Sequence, residues 1–249
     1  MTDASATAAS GDTVAVVIGA SGGIGSALVS ELERRPLYGR VLALSRQAVV
    51  AASPRVATDF IDLLDETSIA AAAARARALG TVRLVIVATG LLHDGDAQPE
   101  RQWSALRSET LASLFAVNAI GPAIAAKHFL PMLPREGRAV FAAISARVGS
   151  IEDNRLGGWY SYRASKAALN MLLKTFAIEL ARRAPGAVCI GLHPGTVDTD
   201  LSKPFQANVA QGKLFTPAQS AEHLLRVIDR VSPADSGHVF AWDGSRVPA

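Results

Sequence analysis

Five apolar residues in a row, Val14-Ala15-Val16-Val17-Ile18, lead straight into Gly19-Ala20-Ser21-Gly22-Gly23-Ile24-Gly25, and apolar residues then recur at helical spacing through residue 35. A run without polar alternation fits a strand buried on both faces. Glycines placed immediately after it leave bare amides at the start of a helix, which is a seat for a pyrophosphate. The spacing is Gly-x-x-x-Gly-x-Gly rather than the commoner Gly-x-Gly-x-x-Gly. Gly19, Ser21, Gly22, Gly23, Ile24 and Gly25 are therefore candidate cofactor contacts. The plainer reading is a glycine-rich turn between two packed elements.

The same alternation continues to the end of the chain. Buried-strand patterns at residues 14–18, 40–44, 56–61, 82–88, 139–144, 187–192 and 239–242 are separated by helical patterns at 25–35, 65–78, 103–117, 122–133, 159–183 and 217–231. This predicts an α/β fold, a parallel sheet with helices on both faces. The 249 residues suit one large domain, 49% of them are hydrophobic, and no Pro/Gly/Ser linker or internal repeat divides them. A single domain over residues 13–249 is expected, after a loose polar tail at 1–12 without the character of a secretory signal. No apolar stretch reads as both long and uninterrupted enough to cross a bilayer. The formal charge is only +3, with no basic run interleaved with aromatics, so no nucleic-acid partner is expected. The lone Cys189 sits in an apolar run and can form no internal disulfide, which fits a reducing, cytoplasmic setting. No metal site is assigned.

In such sheets ligands bind at the carboxyl ends of the strands, where the strand order reverses. The residues with chemical potential fall there. Tyr162 and Lys166 lie about one turn apart on the helix expected over 159–183 and share a face, whereas Tyr160 points roughly 120° away. An ammonium beside a phenol favours phenolate, so the tyrosine pKa is expected to fall from about 10. Such a pair exchanges a proton with a carbonyl or alcohol oxygen. A solvated helix face carries the same spacing by chance, and the glycine-rich opening is what gives the pair weight.

After the second strand, Ser45-Arg46 replaces the acidic residue that binds a ribose diol, and there is no Asp or Glu from Val41 to Val50. An arginine there accommodates a 2′-phosphate, which favours NADP(H) over NAD(H); a plain surface charge is the other reading. Asp62-Leu63 is placed to meet an adenine ring or to start a helix. Ala88-Thr89-Gly90 permits close approach to a ribose. Asn118 precedes Gly121-Pro122, a pair expected to interrupt the helix; its amide either holds a water or the lysine, or makes a local backbone bond. His193-Pro194-Gly195-Thr196-Val197-Asp198-Thr199 follows the sixth strand. Pro194, Gly195 and Val197 offer backbone to a carboxamide, Thr199 could reach a phosphate, and His193 reads as structural rather than as a base.

Together Gly19-x-x-x-Gly23-x-Gly25, Asn118, Tyr162-x-x-x-Lys166 and Pro194-Gly195 resemble a short-chain dehydrogenase/reductase over almost the whole chain. The stretches at 145–151 and 157–166 look like the branch of C-factor-type proteins and sniffer-type carbonyl reductases. The resemblance implies one doubly wound Rossmann domain with a parallel sheet of about seven strands. It also implies a nicotinamide cofactor, a small carbonyl or alcohol substrate, and homodimers or homotetramers joined through the helices bearing Asn118 and Tyr162. Tyr162 would be the general acid, Lys166 would lower its pKa and bind the ribose, and Asn118 would hold a water.

One departure stands out. The family usually has a serine after the fifth strand to bond the substrate oxygen, and counting from Asn118 and Gly149 puts Ala146 there. Ser145 is the candidate to replace it, although it would face the other side of an extended strand; Ser150 is a poorer one. Arg147, Trp159 and the apolar segment 201–215 should surround the nicotinamide end, together with residues 91–94. Two functions of different class remain: a reductase, or a dinucleotide-binding sensor with slow turnover. A sugar-nucleotide epimerase would need a substrate domain, and too few residues follow Trp242 for one.

Overall fold

Strand β1 (Thr13–Ile18) is buried along its whole length, and its side chains alternate between two cores. Val14, Val16 and Ile18 enter one core, Ala15 and Val17 the other. This is the physical reason that the run shows no polar alternation. The computed structural model describes residues 10–93, 98–208, 210 and 212–249. Of the tail, residues 1–9 lie outside these, and Ser10–Asp12 forms a short 3-10 turn rather than loose chain. Asp94, placed near the substrate end from sequence, also lies outside the described residues.

In chain order the elements are α1 (Gly23–Arg34), β2 (Arg40–Ser45), β3 (Val56–Phe60), α2 (Glu66–Leu79), β4 (Thr81–Val87), α3 (Ser108–Phe115), α4 (Gly121–Phe129), β5 (Ala139–Ile144), α5 (Tyr160–Arg183), β6 (Ala187–His193), β7 (Thr196–Val197), β8 (Leu214–Phe215), α6 (Pro217–Arg230) and β9 (Val239–Ala241). Seven strands form one parallel sheet in the order β3-β2-β1-β4-β5-β6-β9, and β7 and β8 pair separately. The order reverses between β1 and β4, so a crevice opens at their carboxyl ends. One core packs α2, α4 and α5 on the sheet through Ile69, Phe129, Leu169 and Leu173. The other packs α1 and α6 through Leu28, Leu32, Leu224 and Ile228. Helix α6 starts on a full capping box, Thr216 with Gln219, and carries Pro217 in its first turn.

The segment around Asn118 departs from expectation. Trp103–Ala105 is a 3-10 turn and α3 begins only at Ser108. Gly121-Pro122 does not break the helix: α3 passes through a π-turn at Ala116–Ile120 and on into α4. Pro122 has no N–H for the carbonyl of Asn118 and its ring crowds that oxygen. The wider turn, in which Gly121 N–H bonds Ala116 O, relieves the crowding and keeps the helix running. The joined helix Ser108–Met132 has 25 residues and is largely apolar. By length and composition it could cross a membrane, which corrects the expectation that no stretch could. Its apolar residues have another use here, since Ala125, Ala126 and Phe129 are buried against the sheet.

Candidate active site

Tyr162 and Lys166 project from the first two turns of α5, beneath the carboxyl ends of β4 and β5. Both are buried, and the ammonium lies 5.8 Å from the centre of the tyrosine ring. Lys166 Nζ donates to Ile144 O at 2.8 Å. A Cβ built on Gly90 would lie 3.9 Å from both Lys166 Nζ and Asn118 Oδ1. Three elements distant in sequence thus converge on the loop after β4.

The electrostatics run against the simple expectation. Burial pushes the Tyr162 phenol up to about 12 and draws Lys166 down to about 7. Burial alone accounts for both shifts, and the lysine does not lower the phenol. A tyrosine held neutral is a proton donor in waiting.

Asn118 is completely buried and three hydrogen bonds hold its amide. Its Oδ1 accepts the Leu91 N–H at 2.8 Å, its Nδ2 donates to Leu91 O at 2.7 Å, and Nδ2 also reaches Ser165 Oγ at 3.1 Å. The side chain therefore clamps the loop after β4 to α5. It bonds neither Lys166 nor its own helix; its partners are the distant Leu91 backbone and the Ser165 hydroxyl.

Ser145 is corrected in its role. It borders the cavity, yet its hydroxyl donates to Asn170 Oδ1 at 2.6 Å on α5. Ala146 instead shares an apolar cluster with Tyr162, Leu92 and Leu114. Alternation along an extended strand turns the two side chains apart, and the Ala146 methyl packs in the cluster that holds the phenol ring. Ser150 Oγ is likewise engaged, donating to the carbonyl of Ala249.

Two adjoining cavities share Ala88, Thr89 and Gly90. The first, of about 330 Å³, is lined by Tyr162, Lys166, Ala146, Ser145, Ile24, His193, Pro194, Gly195, Val197 and Thr199, with Trp159 and Phe205 on its apolar wall. Tyr160 does not border it. The second, of about 610 Å³, is lined by Gly19, Ser21, Gly22, Ser45, Arg46, Asp62 and Leu63. The sequence candidates for a dinucleotide thus line one furrow from Arg46 to Thr199. Gly23 and Gly25 shape it from behind. A Cβ on Gly25 would sit 2.1 Å from Gly19 O, one on Gly23 would sit 2.7 Å from Thr199 Cγ2, and Gly19 holds a φ of +92°. The bare α1 amides and this tight turn fit a pyrophosphate. Arg46 is exposed and forms no ion pair with the described residues. Asp62 Oδ1 accepts the Leu64 N–H at 3.0 Å, while Asp65 caps α2, so Asp62 is not the helix-start carboxylate.

Sequence reasoning missed Glu100. Its side chain is 4% exposed, accepts the Ser161 N–H at 3.2 Å and the Ser161 hydroxyl, and its carbonyl accepts the Trp159 N–H. Trp159 holds a φ of +52° and its ring meets Tyr162 edge-on at 6.2 Å and Phe205 at 5.0 Å. No periodic signal marks a carboxylate in a loop, and its partner lies 61 residues onward. Arg147, a candidate anion contact, is instead paired with Asp153 at 2.5 Å.

Comparison with known proteins bears on the family and the fold. A family model described as short chain dehydrogenase matches residues 13–210. The chain is 32% identical to the 1-hydroxy-2-glutathionyl-2-methyl-3-butene dehydrogenase of Rhodococcus sp. (strain AD45), covering 92% of this chain and 96% of that one. It is 38% identical over 138 residues to the C-signal of Myxococcus xanthus, covering 55% of this chain and 78% of that protein. Among solved structures, the NADPH-bound carbonyl reductase from chicken fatty liver superimposes with a TM-score of 0.83 at 26% identity, covering 96% and 94% of the two chains. The carbonyl reductase Sniffer of D. melanogaster gives 0.81 at 22% identity, over 96% and 99%, a likeness of fold.

Proposed function

The chain belongs to the short-chain dehydrogenase family, and from that premise we propose that it is an NADP(H)-dependent oxidoreductase that interconverts a small apolar carbonyl compound and its secondary alcohol. The observation that carries this reading is the convergence of Lys166 and Asn118 on Gly90, where the two cavities meet, with Tyr162 on the wall of the first. Gly19, Ser21, Gly22, Gly23, Ile24 and Gly25 would hold the pyrophosphate, Arg46 the 2′-phosphate, and Asp62 and Leu63 the adenine. Ala88, Thr89, Gly90, Lys166 and residues 194–199 would hold the nicotinamide end. The free Arg46 guanidinium supports NADP(H) over NAD(H). Held by these residues, a reduced nicotinamide would supply hydride chemistry to a carbonyl carbon. Tyr162 gives its phenolic proton to the carbonyl oxygen, and the alcohol leaves with one hydride and one proton gained. Trp159, Phe205, Leu92 and Val148 make the substrate wall apolar. With Arg147 tied to Asp153, that wall favours an uncharged substrate.

A second reading, a dinucleotide-binding sensor, is supported by Ala146, which offers the substrate oxygen no hydrogen bond. Mixing the protein with NADPH and a panel of aryl and alkyl ketones and aldehydes separates the two. Loss of NADPH absorbance that disappears in Tyr162→Phe supports the enzyme. Tight NADPH binding with no turnover across the panel would overturn it in favour of the sensor.

The proposed assembly is a homodimer or homotetramer. Met171 and Ile178, seven residues apart on α5, are 66% and 52% exposed, and Ile120 on the adjoining helix is 55% exposed. An apolar stripe of that spacing suits a second copy of the same helix. Light scattering on the wild type and on Met171→Glu/Ile178→Glu tests it; a wild-type monomer would refute it.

A further inference from the structure

Ala146 leaves the substrate oxygen one hydrogen bond short. The cavity's other polar side chains are nearly all committed. Ser145 is bonded to Asn170, Ser202 and Thr199 to the carbonyl of Val197, and Arg147 to Asp153. Two buried polar atoms on the lining have no partner among the described residues, Thr89 Oγ1 and His193 Nδ1. Thr89 belongs to the glycine turn: its methyl lies 3.0 Å from a Cβ built on Gly19. His193 belongs to the reacting end. Ile144 pairs with Leu192 across β5 and β6, and Ser145 N–H bonds Leu192 O, so His193 stands level with Ser145, one position before the residue that lacks the hydroxyl, and its ring borders the same cavity.

We propose that His193 is the second hydrogen-bond donor to the substrate oxygen, taking the part that Ala146 cannot play. The inference rests on the reductase reading and deepens it. The ring borders the cavity, and its buried Nδ1 has no partner among the described residues that would hold the imidazole elsewhere. Burial, helped by Arg147, holds the imidazole down to about 4, so at neutral pH it is uncharged and offers one N–H. It acts as a fixed dipole aimed at charge growing on oxygen, and Tyr162 remains the proton source. No further proton or electron is needed, because the imidazole donates a hydrogen bond and keeps its hydrogen.

The test compares His193→Asn with His193→Leu, two side chains of nearly one shape of which only the first donates. The leucine variant is expected to lose about 10²-fold in kcat/KM, mostly in kcat, with the NADPH dissociation constant unchanged. The asparagine variant should keep most of that activity, and His193→Leu/Ala146→Ser should recover it, since the serine restores a donor. Equal loss in both single variants, no loss in either, or failure of Ala146→Ser to rescue would overturn the proposal. Should the leucine variant not fold, His193→Gln against His193→Met reads the same difference. Failure of the reductase reading looks different: the wild type itself then leaves NADPH unconsumed with every carbonyl.

Discussion

Lys166 Nζ lies 5.8 Å from the centre of the Tyr162 ring, and the shared pocket drives the two groups' proton affinities in opposite directions. The phenol is pushed up to about 12 and the ammonium drawn down to about 7. For catalysis the sign is direct. Ketone reduction needs the phenolic proton in place, and that proton stays on throughout the range in which the protein is handled. Alcohol oxidation needs phenolate, whose population rises tenfold per pH unit below the pKa. We expect kcat/KM for reduction to be flat between about pH 7 and 9.5, and that for oxidation to climb across the same window. A reduction rate that falls away near neutrality would contradict the assignment of the phenol's proton affinity to burial.

The same two groups shape stability. In the unfolded chain Lys166 titrates near its ordinary 10.5, whereas in the folded chain it does so near 7. Between those values the unfolded state binds more protons, so stability rises with pH through that window and is lost as pH falls toward 7. Tyr162 acts at the other end. Its folded pKa is raised from 10.0 to about 12, so its contribution is present below 10 and is lost as pH climbs toward 12. The thermal midpoint should therefore increase from about pH 7 to about 9.5 in the wild type, and distinctly less in Lys166→Met. Parallel curves for the two proteins, followed by circular dichroism, would show that Lys166 is not the group responsible.

Much of this molecule could be read before its structure. Buried runs such as 139–144 mark strands because both faces of the sheet are covered, and the strand Ala139–Ile144 has those very limits. Gly19, Arg46 and Tyr162 share one furrow because a parallel sheet gathers its carboxyl ends. Strand alternation already set Ser145 on the face away from Ala146. Other features carry no one-dimensional signal. The apolar spacing from Trp103 to Val117 reads as one helix, whereas Trp103–Ala105 is a separate 3-10 turn with no buried residue and α3 starts at Ser108. Gly121-Pro122 reads as a stop, and only the Ala116 carbonyl bond reveals a π-turn. The direction of the Tyr162 shift depends on depth of burial, which spacing does not encode.

Arg46 tests the cofactor reading. It borders the cavity of about 610 Å³, is exposed, and has no carboxylate partner among the described residues. A guanidinium in that state gains a charge-assisted bidentate contact with a 2′-phosphate, and a ribose diol offers no such charge. Arg46→Asp should weaken NADPH binding about 10²-fold while NADH changes by only a few-fold or improves. Titration of tryptophan fluorescence with each nucleotide measures both. Equal weakening of the two would remove the 2′-phosphate from the assignment.

Glu100 is a buried carboxylate with no cationic partner among the described residues, and the N-terminal turn of α5 takes that place. Its oxygens accept the backbone N–H and the hydroxyl of Ser161, one residue before Tyr162, in the first turn of the 24-residue α5. Its backbone carbonyl also holds Trp159, the one described non-glycine residue at positive φ. Removing the carboxylate leaves Ser161 unsatisfied and frees the loop that borders the substrate cavity. Glu100→Ala should cost about 1–3 kcal/mol, a fall of roughly 2–10 °C in thermal midpoint for a chain of this size. Glu100→Gln keeps the shape and one acceptor and should lose less. Both should raise KM for the carbonyl compound more than they lower NADPH affinity, because the loop they release faces the substrate and not the glycine turn. A variant that is destabilised yet keeps its KM would show that Glu100 caps the helix without positioning the site.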